Sequence, residues 1–176
     1  GHKVYVGGNI GTPLLDKSDE ISSDDYVVLE LSSFQLLTMS ISADISVVTN
    51  ITPNHLDVHK DYQEYIDVKT NIFRHERNTK VVLNSSNEIT YNMRSLAHGD
   101  VMLFAQEESQ DSNDMAFVRD GALMVKVAGK VTKICKEDEI LIPGKHNVEN
   151  YLAAICAVLG YVEPSNMRKV AMTFKG

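Results

Sequence analysis

The sequence predicts an α/β fold: a mostly parallel, doubly wound sheet with a small antiparallel β meander appended. Three observations carry this. Short β-branched runs alternate with longer connections through the first half of the chain, the rhythm of a parallel sheet. Residues 26–29 (Tyr-Val-Val-Leu) are apolar without alternation, as in a strand covered on both faces. Beyond residue 100 the strands shorten, and Asp120-Gly121 and Gly129-Lys130 stand where hairpin turns belong.

Taken in order, residues 3–6 form a first strand running into Gly7-Gly8-Asn9-Ile10-Gly11, where glycine permits a tight turn. Pro13 suits the first turn of a following helix. The second strand, residues 26–29, ends on Glu30, and residues 34–40 make a helical turn or loop. A third strand over residues 45–49 ends in Asn50-Ile51-Thr52-Pro53-Asn54-His55. Tyr62, Tyr65, Ile66, Lys69, Ile72 and Phe73 recur at helical spacing and predict a helix from 62 to 75. The fourth strand, residues 80–83, leads into Asn84-Ser85-Ser86-Asn87. The meander takes residues 101–106, 116–119, 123–127 and 130–135, with a polar loop over 106–114. A helix over 147–159 is ended by Gly160, and Ser165 caps a last helix over 166–173.

The 176 residues suffice for one domain with a real core. A net charge of −7 disfavours nucleic acid as a partner, so phosphate must be bound locally, through Mg²⁺, helix N-termini or a few basic side chains. Cys135 and Cys156 form no CxxC pair and read as buried thiols in a reducing compartment. No apolar run approaches the ~20 residues of a membrane helix, and no signal-peptide pattern is present. A cytoplasmic protein using neither membrane nor nucleic acid is expected. Because the chain opens on Gly1-His2-Lys3, it is also expected to be a piece of a longer protein.

Three predicted strands end in polar groups: Asn9, Glu30 and Asn54-His55. In open parallel sheets that edge forms the binding crevice. Glu30 offers a hard oxygen for Mg²⁺, or merely a salt bridge at a strand end. His55 can ligate a metal, bind an anion, move a proton, or be an ordinary loop histidine. Asp57 and His59 read as structural. Lys69 lies on the apolar-spaced face of its helix, where it must find an anion or a modification, or snorkel. Asn147 and Asn150 are three apart and share a face; they can read a base edge or a ribose, and Asn147 can equally cap its helix. No GxxxxGK[ST] phosphate loop occurs, and Gly7-Gly8-Asn9-Ile10-Gly11 is no GxGxxG fingerprint.

Across nearly the whole chain, and in order, five pieces resemble the motifs of the Mur ligases of peptidoglycan synthesis. They are Gly7-Gly8-Asn9-Ile10-Gly11, Leu29-Glu30-Leu31-Ser32-Ser33-Phe34-Gln35-Leu36, Thr49-Asn50-Ile51-Thr52-Pro53-Asn54-His55-Leu56-Asp57, Lys69 within residues 65–73, and Gly144-Lys145-His146-Asn147-Val148-Glu149-Asn150. The wording after Glu30 is closest to the members that add D-glutamate. The resemblance implies a P-loop-NTPase-like central ATP-binding domain over residues 1–176, lacking its phosphate-loop segment and the N-terminal UDP-binding and C-terminal domains. It implies that ATP phosphorylates the carboxylate of UDP-N-acetylmuramoyl-L-alanine and that the amine of D-glutamate then attacks. ATP and Mg²⁺ are the implied cofactors. By the resemblance Glu30 and His55 serve Mg²⁺, and a carbamylated Lys69 holds a second ion; His55 and Lys69 are the catalytic candidates. Asn9, Ser32 and Gln35 would face the UDP-sugar substrate, and His146, Asn147 and Asn150 the adenosine. The family often carries an acid where Asn54 stands. The parent enzyme is expected to be a cytoplasmic monomer serving cell-wall biogenesis, cell shape and division, and the isolated chain to be inactive. A sister Mur-type or folylpolyglutamate-type ligase and a non-catalytic nucleotide-binding module are the competing expectations. A dehydrogenase lacks its fingerprint.

Overall fold

Two β-branched runs at the start of the chain, β1 (Val4–Gly8) and β2 (Tyr26–Glu30), pair in parallel from Val4–Tyr26 to Gly8–Glu30. The computed structural model describes residues 2–53, 59–110, 112 and 114–176. It divides the chain into two compact units, Gly1–Met39 and Ser40–Gly176.

In the first unit β1 and β2 pair as a two-stranded sheet among the described residues. The strand read as covered on both faces is therefore open: Val28 is 54% and Leu29 46% exposed. The reason is local supply. The unit's helical pieces, a 3₁₀ turn at Leu15–Glu20 and the four-residue α1 (Ser33–Leu36), are too short to cover two sheet faces.

The second unit is a six-stranded mixed sheet in sequential order. Its strands are β3 (Ile45–Val48), β4 (Lys80–Asn84), β5 (Asp100–Phe104), β6 (Met115–Arg119), β7 (Ala122–Val127) and β8 (Lys130–Lys136). The first four run parallel and β6, β7 and β8 antiparallel. The strand at 101–106, assigned to the meander from sequence, thus belongs to the parallel part. Its partner β4 is apolar through Val81-Val82-Leu83, and the two register from Lys80–Asp100 to Asn84–Phe104.

Helices α2 (Tyr62–Thr70), α3 (Glu88–Asn92), α4 (Lys145–Val158) and α5 (Pro164–Thr173) complete the unit. Successive strand residues point to opposite faces. Val82, Met102 and Phe104 therefore pack with Leu152, Ile155, Cys156 and Met167 from α4 and α5. Val81, Leu83 and Leu103 pack the other way, with Tyr65, Phe73 and Met93. Both faces are covered, which is the doubly wound arrangement the apolar runs predict. Each fully buried side chain of this kind contributes about 1.5–3 kcal/mol.

Several boundaries differ from the sequence reading, among them β1 and α4 by about two residues; three others have a physical reason. The helix predicted to reach residue 75 ends at Thr70. Beyond it the chain is tied towards β3: Ser46 Oγ donates to the Ile72 carbonyl at 2.7 Å and the His75 amide donates to Ser42 Oγ at 2.9 Å. The second hairpin turn is Ala128-Gly129, with φ of 48° and 81°, so Lys130 is already in β8. Helix α5 is started by Pro164 at its first turn, with Glu163 rather than Ser165 at the cap position.

Candidate functional site

In the first unit the parallel register brings Asn9 and Glu30 to one strand edge. The Asn9 amide donates to the Glu30 carbonyl at 2.7 Å. Gly8 makes this closeness feasible: its φ is 107°, and a Cβ there would lie 2.2 Å from the Glu30 carbonyl oxygen. The Glu30 carboxylate is exposed at the end of β2. Just beyond, Ser32 caps α1 and Gln35 answers it. The Gln35 amide donates to Ser32 Oγ at 3.4 Å, and the Ser32 amide donates to Gln35 Oε1 at 2.9 Å. This is a capping box, so two of the residues read as substrate contacts already have a local structural task.

In the second unit the carboxyl ends of β3, β4 and β5 form an edge rich in amides. Asn84 Nδ2 donates to the Thr49 carbonyl at 2.9 Å. Asn87 Nδ2 reaches Asn50 Oδ1 at 2.7 Å and the Ile51 carbonyl at 3.0 Å. Gln106 Nε2, just past β5, donates to Glu149 Oε1 on α4 at 2.8 Å. The N-terminal part of α4 therefore stands at the same edge. Asn84, Asn87 and Gln106 were not singled out from sequence; their one signal is that each closes or follows a strand. An open cavity of about 300 Å³ adjoins them, lined by Ser85, Ser86, Tyr91, Ala105, Glu107, Glu108 and Ser109. Hydrogen bonds from Arg119 and Lys126 hold the Glu108 carboxyl below its usual range.

Helix α4 opens at Gly144, whose φ is 110° and over which the His146 ring folds, 2.6 Å from where a Cβ would be. Asn147 is inside the helix and does not cap it; its Nδ2 donates to the Pro143 carbonyl at 2.7 Å. Asn150 Nδ2 lies 3.5 Å from Asn147 Oδ1, so the two amides share a face as their spacing predicts. At the far end Lys80 Nζ donates to the carbonyls of Cys156, Ala157 and Leu159 at 3.3, 3.5 and 2.9 Å.

Lys69 is half-buried on α2, with Nζ 5.7 Å from the centroid of the Tyr65 ring. That ring stacks on Tyr62 at 6.1 Å and takes the edge of His59 at 5.3 Å. His59 is buried, with Nδ1 3.7 Å from Glu64, in keeping with the structural role read from sequence. His55, Asn54 and Asp57 lie outside the described residues. Among the described residues no three His, Cys, Asp or Glu side chains gather as a metal cage. Mg²⁺ does not need one. It keeps several waters and takes one or two carboxylates plus phosphate oxygens, and the exposed Glu30 carboxylate suits that mode. An unmodified Lys69 ammonium repels a cation, so it fits only as a carbamate.

An open, mostly parallel sheet with helices on both faces and polar groups along its carboxyl edge defines an α/β protein of the kind that takes ligands at that edge. The chain belongs to the Mur ligase family: the Mur ligase middle domain matches residues 6–158. It is 52% identical to the UDP-N-acetylmuramoylalanine–D-glutamate ligase of Clostridium perfringens, over all of this chain and 37% of that protein. The enzyme of the same name from Clostridium botulinum is 51% identical over the same shares. The crystal structure of MurF from Acinetobacter baumannii superposes with a TM-score of 0.64 at 14% identity, covering 99% of this chain and 46% of that one; it bears on the fold alone. The chain thus spans little more than a third of the relatives it resembles in sequence.

Proposed function

We propose that residues 1–176 are part of the central ATP-binding domain of a cytoplasmic, monomeric ligase that joins D-glutamate to UDP-N-acetylmuramoyl-L-alanine. The observation that carries this is the 52% identity to a ligase of that name along the whole chain. The carboxylate of the UDP-sugar substrate takes the phosphoryl group of ATP. The amine of D-glutamate then displaces phosphate from the acyl phosphate, leaving the amide and ADP. Bound Mg²⁺ supplies positive charge against the transferring phosphoryl oxygens.

The chain's own residues divide the work by edge. Glu30, with His55, holds Mg²⁺. Lys69, as its carbamate, presents an anionic oxygen where its ammonium would repel a second ion. Asn9, Ser32 and Gln35 face the UDP-sugar substrate; Gln35 keeps its Nε2 for this while Oε1 serves the capping box. His146, Asn147 and Asn150 meet the adenosine at the start of α4. With no GxxxxGK[ST] in the sequence, the 176 residues alone are inactive.

The test is phosphate release by the full-length enzyme with ATP, Mg²⁺ and UDP-N-acetylmuramoyl-L-alanine. Release that depends on D-glutamate is expected. Release that depends on another amino acid or another acid moves the protein to a sister ligase. No release with any pairing refutes the catalytic reading.

A further inference from the structure

Helix α4 lies across the sheet with its two ends held differently. At its C-terminal end a single ammonium, Lys80 Nζ, meets three carbonyls. At its N-terminal end Gly144 offers no side-chain cap. The amide bonds there, Asn147 to Pro143 and Asn150 to Asn147, stay within the helix start. Among the described residues, the hydrogen bond from this end of the helix to the strand edge is that of Gln106, just past β5, with Glu149, at 2.8 Å. Gln106 is itself a fixed point. Its carbonyl accepts from the Val118 amide at 3.0 Å, and the neighbouring Ala105 amide donates to the Ala116 carbonyl at 3.1 Å.

We propose that Gln106 is a positioning residue for the nucleotide: by holding Glu149 it sets where the Asn147 and Asn150 amides stand. This rests on the reading of those two asparagines as adenosine contacts. The lever is short. At about 100° per residue, Glu149 projects roughly opposite Asn147 on the helix. A pull on Glu149 from the sheet therefore turns the asparagine face outward, towards a ligand at the edge. Without that bond the start of the helix is held by the packing of Val148 and Leu152 beneath it, and its polar side is less closely set. Val148 and Leu152 stay buried against the sheet, so loss of Gln106 loosens the polar side of the helix start without unwinding it.

The experiment is calorimetric titration of the full-length enzyme with ATP, together with steady-state kinetics. Gln106→Ala is expected to weaken ATP roughly three- to tenfold, the range for the net loss of one ordinary hydrogen bond, and to lower discrimination against GTP. The KM values for D-glutamate and the UDP-sugar substrate should not move. Gln106→Glu, which sets two carboxylates face to face, should weaken ATP further. Adding Glu149→Gln to it exchanges donor and acceptor, and should restore both affinity and discrimination. Unchanged ATP affinity in Gln106→Ala and Gln106→Glu, beside a loss in Asn147→Ala or Asn150→Ala, overturns the inference and leaves the adenosine reading standing. Unchanged affinity in all four overturns both. If Gln106→Ala does not fold, the charge variant and its exchange decide: loss without restoration also overturns the proposal.

Discussion

Replacing Lys80 by Met removes the ammonium that closes α4 while keeping most of the aliphatic stem that β4 packs. The helix leaves its last carbonyls without intrahelical donors, and Lys80 Nζ serves three of them, at 3.3, 3.5 and 2.9 Å. A hydrogen bond from a charged donor contributes about 1.5–3 kcal/mol, and a cation at a partly buried helix C-terminus up to ~2 kcal/mol through the macrodipole. These overlap and do not add. They are also offset by desolvation, since burial pushes the Lys80 amine below its usual range. A net loss of about 2–3 kcal/mol is expected for Lys80→Met, because the part-buried carbonyls lose a charged donor. At ~2–4 °C per kcal/mol for a chain of this size, the melting temperature should fall by about 4–12 °C. Urea unfolding followed by circular dichroism measures it, with the midpoint shifting and the slope unchanged. A midpoint within error of wild type would refute the cap, and would mean that the Cys156, Ala157 and Leu159 carbonyls are satisfied by water.

Other outcomes follow from the same geometry. Glu139 accepts from Arg168 and from the Lys136 amide, which together lower its pKa to about 2. The stability this confers is complete above the ordinary glutamate value and is lost as pH falls through about 2; Glu139→Gln should flatten acid unfolding in that window. In Gly8→Ala the new Cβ collides with the Glu30 carbonyl. The first unit should lose roughly 1–3 kcal/mol, read as faster hydrogen exchange at the Asn9 amide; unchanged protection would contradict the close approach. Burial raises the Cys135 thiol to about 11 and the Cys156 thiol to about 12. Neither should react with iodoacetamide at neutral pH until urea unfolds the chain, and rapid native labelling would show the core to be open. In the full-length enzyme, Glu30→Gln and Lys69→Ala should each cut D-glutamate-dependent phosphate release by roughly 10²- to 10³-fold; near-normal release would remove that residue from the metal site.

Much of the parallel sheet was legible because its signals are local. Val81-Val82-Leu83 reads as a strand buried on both faces, and the structure splits those residues between two apolar clusters. Asp120-Gly121 reads as a hairpin turn and has φ of 52° and 67°. The candidate edge was legible in part. Asn9 and Glu30 announce themselves as polar groups ending apolar runs, and Asn147 and Asn150 by their spacing. Gln106 did not, because its meaning lies in Glu149, 43 residues away. Ser32 and Gln35 show the converse. Their types suggest ligand contact, yet the same types at the same spacing build a capping box, which engages Ser32 Oγ and Gln35 Oε1.

The sequence by itself determined the α/β class, most helix and turn positions though not α3, and the family, since propensity, periodicity and motif wording are properties of neighbours along the chain. Only the tertiary structure decided that residues 100–104 join the parallel strands, that β1 and β2 pair with each other in parallel, and that α2 stops at Thr70. It alone decided that α4 is tied at one end by Lys80 and at the other by Gln106. Each of these depends on a hydrogen bond between residues far apart in sequence, and such a bond is chosen by which surfaces are left to bury once the local elements exist.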